Sequence, residues 1–357
     1  MLDALRFFAE FFVVLYHYGS EAPVALDQVH PVFLRGYLAT DFFLMLSGYV
    51  MGRAYGPSVG SGKVGGVEFF VRRVARIWPG HLIMLGAFAA LILVTGALNI
   101  QPSHPEWFDW SNVVPQALLI QAWGDFGGGG WNLPSWSLSA LVVCYAAFPL
   151  AWKALGKVAS PYLSVALAVA GLVGADLICR AAYGRPIYDI PFPHGVLRAA
   201  PLFLLGLAIS QLVQRTVVSR RAATVLGFGA AGVFVALQAL GRFDFWSVMC
   251  IAAIVAAGGA ASVRRPSKVA EEGAQLSYAL FITHVFAGTL WFGTVHKFAA
   301  GHDFAPALRW MIWGGALPFA LAFAYAFDRV IDSRVQAWLK PRLKWRRAPR
   351  PAPAPSV

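Results

Sequence analysis

The chain has 357 residues, of which 58% are hydrophobic and 13% are charged, and its formal net charge is +12. A soluble domain is about 45–50% apolar and about 25% charged, so this composition excludes an ordinary cytosolic enzyme, a disordered chain and a secreted disulfide scaffold. The expected solvent is the lipid bilayer. Lys and Arg in loops that face anionic lipid explain the positive charge better than a nucleic-acid partner does.

About 20 apolar residues cross the hydrocarbon core of a bilayer, and the chain contains about ten apolar stretches near that length. They predict an all-α, polytopic membrane protein. A further apolar piece at 113–123 is too short to span, and we expect it to be re-entrant or interfacial. The ten stretches are 4–18, 36–52, 77–98, 136–152, 161–181, 195–213, 223–241, 244–262, 274–296 and 306–327.

The distribution of basic residues predicts the orientation. With a cytoplasmic N-terminus, the inner connections, the inner end of the first helix and the tail together hold 22 of the 29 Lys and Arg residues. This asymmetry predicts that both termini are cytoplasmic. Residues 1–327 then form one membrane domain. Residues 328–357 form a basic cytoplasmic tail, which begins as a short amphipathic helix and ends in a disordered Pro/Ala-rich segment. Three widely spaced cysteines indicate buried apolar side chains, with no metal-ligand spacing.

The first helix carries three ionisable residues. Arg6 and His17 are eleven residues apart, which puts them on one face and about 16 Å apart along the axis. Glu10 lies one turn from Arg6 and is predicted to pair with it. Ionisable residues within a span are candidates for function. In the alternative interpretation, Arg6 extends to the interface and His17 only caps the helix end.

Asp41 enters the second helix from outside, at nearly the depth at which the first helix ends with His17. A carboxylate beside an imidazole fixes its tautomer and raises its basicity, which is a common way to build a general base. The alternative is a carboxylate that the dipole of the helix N-terminus favours.

Three arginines, Arg72, Arg73 and Arg76, stand at the inner start of the third helix. Arg73 and Arg76 share one face, and arginines next to a helix N-terminus can bind phosphate. The positive-inside rule alone also explains basic residues at this place.

Two later segments carry polar side chains into spans. Ser137 and Ser139 follow Trp136 at a helix start, where their hydroxyls could be caps or could line a cavity. His284 shares a helix face with Ser277, although a lone core histidine bonded to a carbonyl is the common outcome for such a residue.

Together these motifs resemble the acyltransferase 3 family of integral-membrane acyltransferases. The resemblance covers essentially the whole chain, and the motifs occur in the family's order. The segments that carry it are 2–17, 41–49, 72–81, 136–149 and 276–284. It implies that the site is lined by Trp136, Ser137, Ser139, Tyr145, Ser277 and His284.

The resemblance implies transfer of an acyl group, often acetyl, from cytoplasmic acyl-CoA to a hydroxyl. The acceptor would be an envelope glycan or its lipid-linked precursor, and acyl-CoA would be a co-substrate with no further cofactor. The location implied is a cell membrane, the inner membrane in bacteria. His17 would act as general base or as a transient acyl carrier, and Asp41 would orient it. The basic residues that would line the entry and bind the donor are Arg6, Arg72, Arg73 and Arg76.

One position departs from the family pattern: many relatives carry a glutamate where this chain has Leu141. The departure leaves room for a non-catalytic membrane protein. A proton-coupled transporter or flippase of similar topology is another alternative, and an acyltransferase that acts on a small-molecule acceptor is a third. Arginines at the inner face in line with a histidine in the outer half favour a donor and an acceptor that arrive from opposite sides.

Overall fold

The computed structural model describes residues 2–102, 104–126, 129–261, 268–299, 302 and 304–343, and for residues 270 and 271 it describes the backbone alone. These residues form helices, turns and loops, without strands, which confirms the all-α prediction. The principal helices are α1 Leu2–Tyr18, α2 Tyr37–Ala54, α3 Gly66–Ala97, α4 Trp136–Gly156, α5 Pro161–Tyr183, α6 Gly195–Arg215, α7 Arg220–Leu240, α8 Asp244–Ala260, α9 Lys268–Ala299, α10 Pro306–Phe327 and α11 Ser333–Arg342.

Each of the ten predicted apolar stretches coincides over nearly all of its described length with one of the helices α1 to α10. Within the described part of the chain, seven helical segments are long and apolar enough to cross a membrane. The helices α1, α2 and α8 are shorter or less apolar than these seven. The protein is therefore a multi-pass membrane protein, while the number of ten spans and the orientation of the termini stay predictions.

The helices begin and end where the sequence supplies the usual signals. The Ser160 hydroxyl accepts a hydrogen bond from the backbone N–H of Tyr162 at the start of α5, and Ser219 does the same for Ala222 at the start of α7. Such side chains satisfy amide groups that have no partner within the helix. Proline lies inside α3, α4, α6 and α10, where neighbouring helices in a membrane protein tolerate it.

Helix α6 lies at the centre of the bundle and packs against α2, α4, α5 and α8. Its closest neighbour is α2, because two glycines remove side chains from the contact. A Cβ at Gly48 would overlap the carbonyl oxygen of Phe203, and a Cβ at Gly206 would overlap that of Met45. Small residues permit this close approach of helices, and dispersion contacts then stabilise the pair.

A second layer is formed by α1, α9 and α10, and it holds α1 firmly. The Tyr18 hydroxyl donates to the carbonyl oxygen of His284 at 2.6 Å. The indole N–H of Trp313 in α10 donates to the carbonyl oxygen of Tyr18 at 2.9 Å. These bonds fix the end of α1 that carries His17 against the middle of α9.

The segment after α10 continues as a π-helical turn, Asp328–Asp332, and then as α11. Helix α11 is docked rather than free, because the buried side chain of Gln336 donates to the carbonyl oxygens of Ala75 and Arg76 in α3. The predicted Pro/Ala-rich end, together with the basic residues from 344 onward, lies outside the described residues.

Candidate active site

His17 lies in the last turn of α1 and faces the interior of the protein. Its ring packs against the ring of His284 from α9, with centroids 5.1 Å apart and planes inclined by 41°. Two histidines that the sequence placed in separate motifs are therefore in contact. We call them the His17–His284 pair.

Behind this pair lies a buried carboxylate. The Glu10 side chain is fully buried, and its Oε1 lies 3.7 Å from Nδ1 of His284. The same Nδ1 lies 3.0 Å from the carbonyl oxygen of Leu280. The predicted pairing of Glu10 with Arg6 is wrong, because Arg6 lies 3.7 Å from Asp3 instead, one turn towards the N-terminus.

Asp41 is completely buried in α2, and its contacts differ from the expectation. Its two oxygens accept hydrogen bonds from Nε and Nη2 of Arg198, at 2.7 and 3.0 Å. Across the described residues, no hydrogen bond or ion pair joins Asp41 to His17. The expectation that Asp41 orients His17 is therefore corrected, because Arg198 of the neighbouring α6 satisfies both carboxylate oxygens.

Arg198 belongs to a wider network at the start of α6. Its other N–H groups donate to the carbonyl oxygens of Tyr188 and Tyr37. The Tyr37 hydroxyl in turn donates to Asp244 at the start of α8. The network joins α2, α6 and α8 through one guanidinium, which is a bonding pattern typical of a structural ion pair.

The network ends at Arg242, outside the membrane-spanning helices, between α7 and α8. Arg242 donates to Asp189 and, at 2.7 Å, to Asp244. These hydrogen bonds, first the one to Asp189, raise the pKa of Arg242 above its usual value. The guanidinium therefore stays charged and ties the loops around α6 together.

The arginines at the inner end of α3 separate into two kinds. Arg72 donates to Glu68, one turn earlier in the same helix. Nη1 of Arg76 donates to both oxygens of the buried Asp332, at 2.9 and 3.1 Å, which ties α3 to the segment after α10. In the described part of the chain, no carboxylate lies within ion-pair distance of Arg73.

The Arg73 guanidinium lies 5.5 Å from the centroid of the Tyr55 ring. Its Nη1 lies 3.6 Å from the sulfur of Met51. Arg73 and Arg6 both lie close enough to the Tyr145 phenol to interact with it electrostatically. The Tyr145 hydroxyl is 3.2 Å from the hydroxyl of Ser47. Two cations and two hydroxyls thus lie close together near the N-terminal half of α1.

The serines of the predicted lining bind backbone groups. The Ser137 hydroxyl donates to the carbonyl oxygen of Pro134 at 3.0 Å. Ser139 donates to the carbonyl oxygen of Leu119 and accepts from the N–H of Ala122. These contacts bind both hydroxyls to backbone groups beside α4, and neither is an N-terminal cap of that helix.

Two further residues of the predicted lining, Ser277 and Trp136, also contact neighbouring protein groups. The Ser277 hydroxyl donates to the carbonyl oxygen of Ala274 within α9, at 2.9 Å. The centroid of the Trp136 ring lies 5.8 Å from the guanidinium carbon of Arg198. These contacts hold both side chains in place beside the candidate site.

Comparison with known proteins identifies the family of the chain. A family model described as an acyltransferase domain matches residues 1–329. The chain belongs to the acyltransferase 3 family. It is 30% identical over 238 residues to "Acyltransferase MdmB" of Streptomyces mycarofaciens, which covers 61% of this chain and 58% of that protein. No solved structure matches.

A second similar protein is "Protein 2 in picA locus" of Rhizobium radiobacter. It is 31% identical over 100 residues, which cover 28% of this chain and 49% of that protein. The chain thus matches about half to three fifths of the length of these two relatives.

Two residues of the site were missed or misassigned at the level of sequence, namely Arg198 and Glu10. Arg198 stands in an otherwise apolar helix, which is itself a signal for a buried partner. Leu141, at the position where the resemblance implies a glutamate, is buried and apolar. This position of α4 therefore supplies no carboxylic acid side chain.

The site has no features of a metal centre. Among the residues that the structure describes, no group of three or more His, Cys, Asp or Glu side chains could hold a metal ion. Cys144 and Cys179 are buried, Cys250 is half-buried, and all three are free thiols.

Proposed function

We propose that the protein moves an acyl group, acetyl in the simplest case, from acyl-CoA to a hydroxyl of an envelope glycan or of its lipid-linked precursor. The observation that carries this proposal is the placing of Arg6 and His17 on one face of α1. They are eleven residues apart, so about 16 Å separates them along the helix axis. The long, flexible arm of CoA can cover that distance.

The inner end of this path suits an anionic donor. Arg73 is the best candidate for binding a CoA phosphate, because no described carboxylate competes for its guanidinium. Arg6 lies near the same Tyr145 phenol and would line the entry. Arg72 and Arg76 already bind carboxylates, so their contribution is mainly the positive field at the entrance.

At the other end, His17 would act as general base. The acceptor oxygen attacks the carbonyl carbon of the thioester, and its proton passes to the His17 imidazole. A C–O bond forms, the C–S bond breaks, and the proton then passes from His17 to the CoA thiolate. General-base help of this kind is worth about 10²–10⁴ in rate.

The acceptor would approach His17 from the opposite leaflet. This expectation depends on the predicted orientation, in which most Lys and Arg lie on the cytoplasmic side. It follows that the donor and the acceptor never compete for one entrance. The cell membrane implied is the inner membrane of a bacterium.

The test is acyl transfer by the purified protein in detergent, followed as thiol release from acetyl-CoA. We expect His17→Ala to lower the rate at least about 10²-fold, while His104→Ala, a substitution of an exposed histidine in the outer segment, has no effect. A His17→Ala variant that keeps more than about a tenth of the activity contradicts the role of His17. A wild-type protein that neither binds nor consumes acetyl-CoA, but moves a solute with a proton gradient, favours a transporter.

A further inference from the structure

Glu10 is the least satisfied ionisable group of the described residues. It is 0% exposed, and both carboxylate oxygens lack a hydrogen-bond partner. Buried polar groups are nearly always hydrogen-bonded, and an isolated buried carboxylate is costly. Arg6 does not compensate Glu10, since it lies beside Asp3. Among the described residues, the ion-pair partner of Glu10 is His284, whose Nδ1 lies 3.7 Å from Oε1 of Glu10.

His284 connects Glu10 to His17. Glu10 and His17 are seven residues apart, so they share a face of α1 but are separated by about 10 Å along the axis. The His284 side chain from α9 lies between them: its Nδ1 is near Glu10, and its ring packs on that of His17. The three groups form a continuous row from the end of α1 to its middle.

The hydrogen bonds define which nitrogen of His284 carries the proton. Nδ1 lies 3.0 Å from the carbonyl oxygen of Leu280, and only a donor is compatible with a carbonyl oxygen there. In the neutral ring Nε2 is then an acceptor. It is buried and has no partner among the described residues, so it is free to accept a hydrogen bond from the neighbouring imidazole.

We propose that Glu10, acting through His284, is a positioning residue for His17. This inference rests on the function proposed above. His284 would accept an N–H of His17 at Nε2, which leaves the other nitrogen of His17 to receive the acceptor proton. The carboxylate of Glu10 would offset the positive charge that forms on His17 in that step. The proton still passes from the hydroxyl oxygen to His17 and then to the CoA sulfur, so the reaction remains balanced.

The missing hydrogen bonds of Glu10 are the reason for this assignment. Only interactions that strengthen in the transition state accelerate a reaction. A carboxylate that already binds an arginine gains little when another positive charge forms nearby. A carboxyl group without hydrogen bonds gains more, because in a dry, low-dielectric site its negative charge is costly until a cation forms beside it.

The first experiment compares Glu10→Gln and Glu10→Leu with the wild type in acetyl-CoA thiol release. Both variants remove the charge, and we expect kcat to fall at least about tenfold, a part of the factor a general base supplies. The KM for acetyl-CoA stays unchanged, and the thermal stability does not fall, because both variants remove a costly buried charge. Glu10→Asp keeps the acid and should retain more kcat than Glu10→Gln. The matched control is Glu106→Gln, which removes an exposed glutamate beside His104 and should change nothing.

The second experiment is a double-mutant cycle of Glu10→Gln with His284→Gln. Residues that act as one row give non-additive losses, so the double variant should be no slower than the slower single variant. Additive losses overturn the proposal, as do wild-type kcat in Glu10→Gln or unfolding of both neutral variants. If the wild type itself shows no acyl transfer, the proposed function fails first; if the wild type is active and Glu10→Gln matches it, this inference alone fails.

Discussion

Two carboxylates, Asp41 in α2 and Glu10 in α1, are buried in the helical bundle, and their surroundings differ sharply. Asp41 accepts two hydrogen bonds from Arg198, which itself is bonded to backbone carbonyls on either side. Within the described part of the chain, Glu10 has no hydrogen-bond partner and lies 3.7 Å from the imidazole of His284. The first arrangement is satisfied in the resting protein. Glu10, in contrast, gains a charged partner only when a positive charge forms beside it.

The same contrast separates the arginines at the inner end of α3. Arg76 binds both oxygens of Asp332, whereas Arg73 has a methionine sulfur as its hydrogen-bond partner. A paired charge holds helices together, and an unpaired charge is available for a ligand. Under the proposed function, bonding state therefore separates charges that hold helices together from charges that could bind a ligand.

The largest effect is expected at the Asp41–Arg198 pair. Asp41→Asn leaves the guanidinium of Arg198 buried without its counter-charge, and breaking a buried pair in this way costs about 3–5 kcal/mol. Denaturant unfolding in detergent should show this loss, while the folded fraction keeps the wild-type kcat. If kcat falls and stability does not, Asp41 acts in catalysis and the contrast with Glu10 breaks down.

A smaller loss of stability is expected at the inner face. Arg76→Ala leaves the buried carboxylate of Asp332 unpaired, and hydrogen bonds to charged groups are worth about 1.5–3 kcal/mol. The free energy of unfolding should fall by that amount, and the segment after α10 should become more sensitive to protease. Normal stability together with a raised KM for acetyl-CoA would instead assign Arg76 to donor binding.

Arg73→Ala should affect the donor and not the fold. Loss of one charge-assisted contact with a phosphate is expected to raise the KM for acetyl-CoA about tenfold, which corresponds to about 1.4 kcal/mol. The defect should disappear at saturating acetyl-CoA. Arg76→Ala serves as the matched control, with a smaller change in KM. Equal KM values for the two variants would remove the distinction between paired and unpaired arginines.

The smallest effect is expected at Ser137. Its hydroxyl donates to the carbonyl oxygen of Pro134, a neutral hydrogen bond worth about 0.5–1.5 kcal/mol. Ser137→Ala should lower stability by that amount and leave both kcat and KM unchanged. A fall in kcat at normal stability would restore the interpretation in which the serine hydroxyls line a substrate cavity.

Much of the architecture could be predicted from the order of residues. Apolar runs of membrane-spanning length predicted the ten helices α1 to α10, because a backbone in lipid must satisfy its hydrogen bonds within the helix. The boundaries differed most for α3 and α9, which begin earlier, at Gly66 and Lys268, in polar segments that hydropathy does not mark. The number of spans and their orientation are still predictions.

The partners of the buried charges could not be predicted in this way. Helical spacing placed Arg6 and His17 on one face and suggested Glu10 as a partner of Arg6, because spacing within a helix is a local property. Which charges meet depends on how α1, α2, α6 and α9 pack. That packing paired Asp41 with Arg198, 157 residues later in the chain.

The sequence by itself determined the solvent, the helical class and the family of this protein, because these depend on composition, run length and motifs in order. Only the tertiary structure decided that His17 meets His284, that Glu10 stands behind them without hydrogen bonds, and that Arg73 differs from Arg76. The physical reason is that a charge becomes structural or functional through its neighbours, and those neighbours come from helices far apart in the chain.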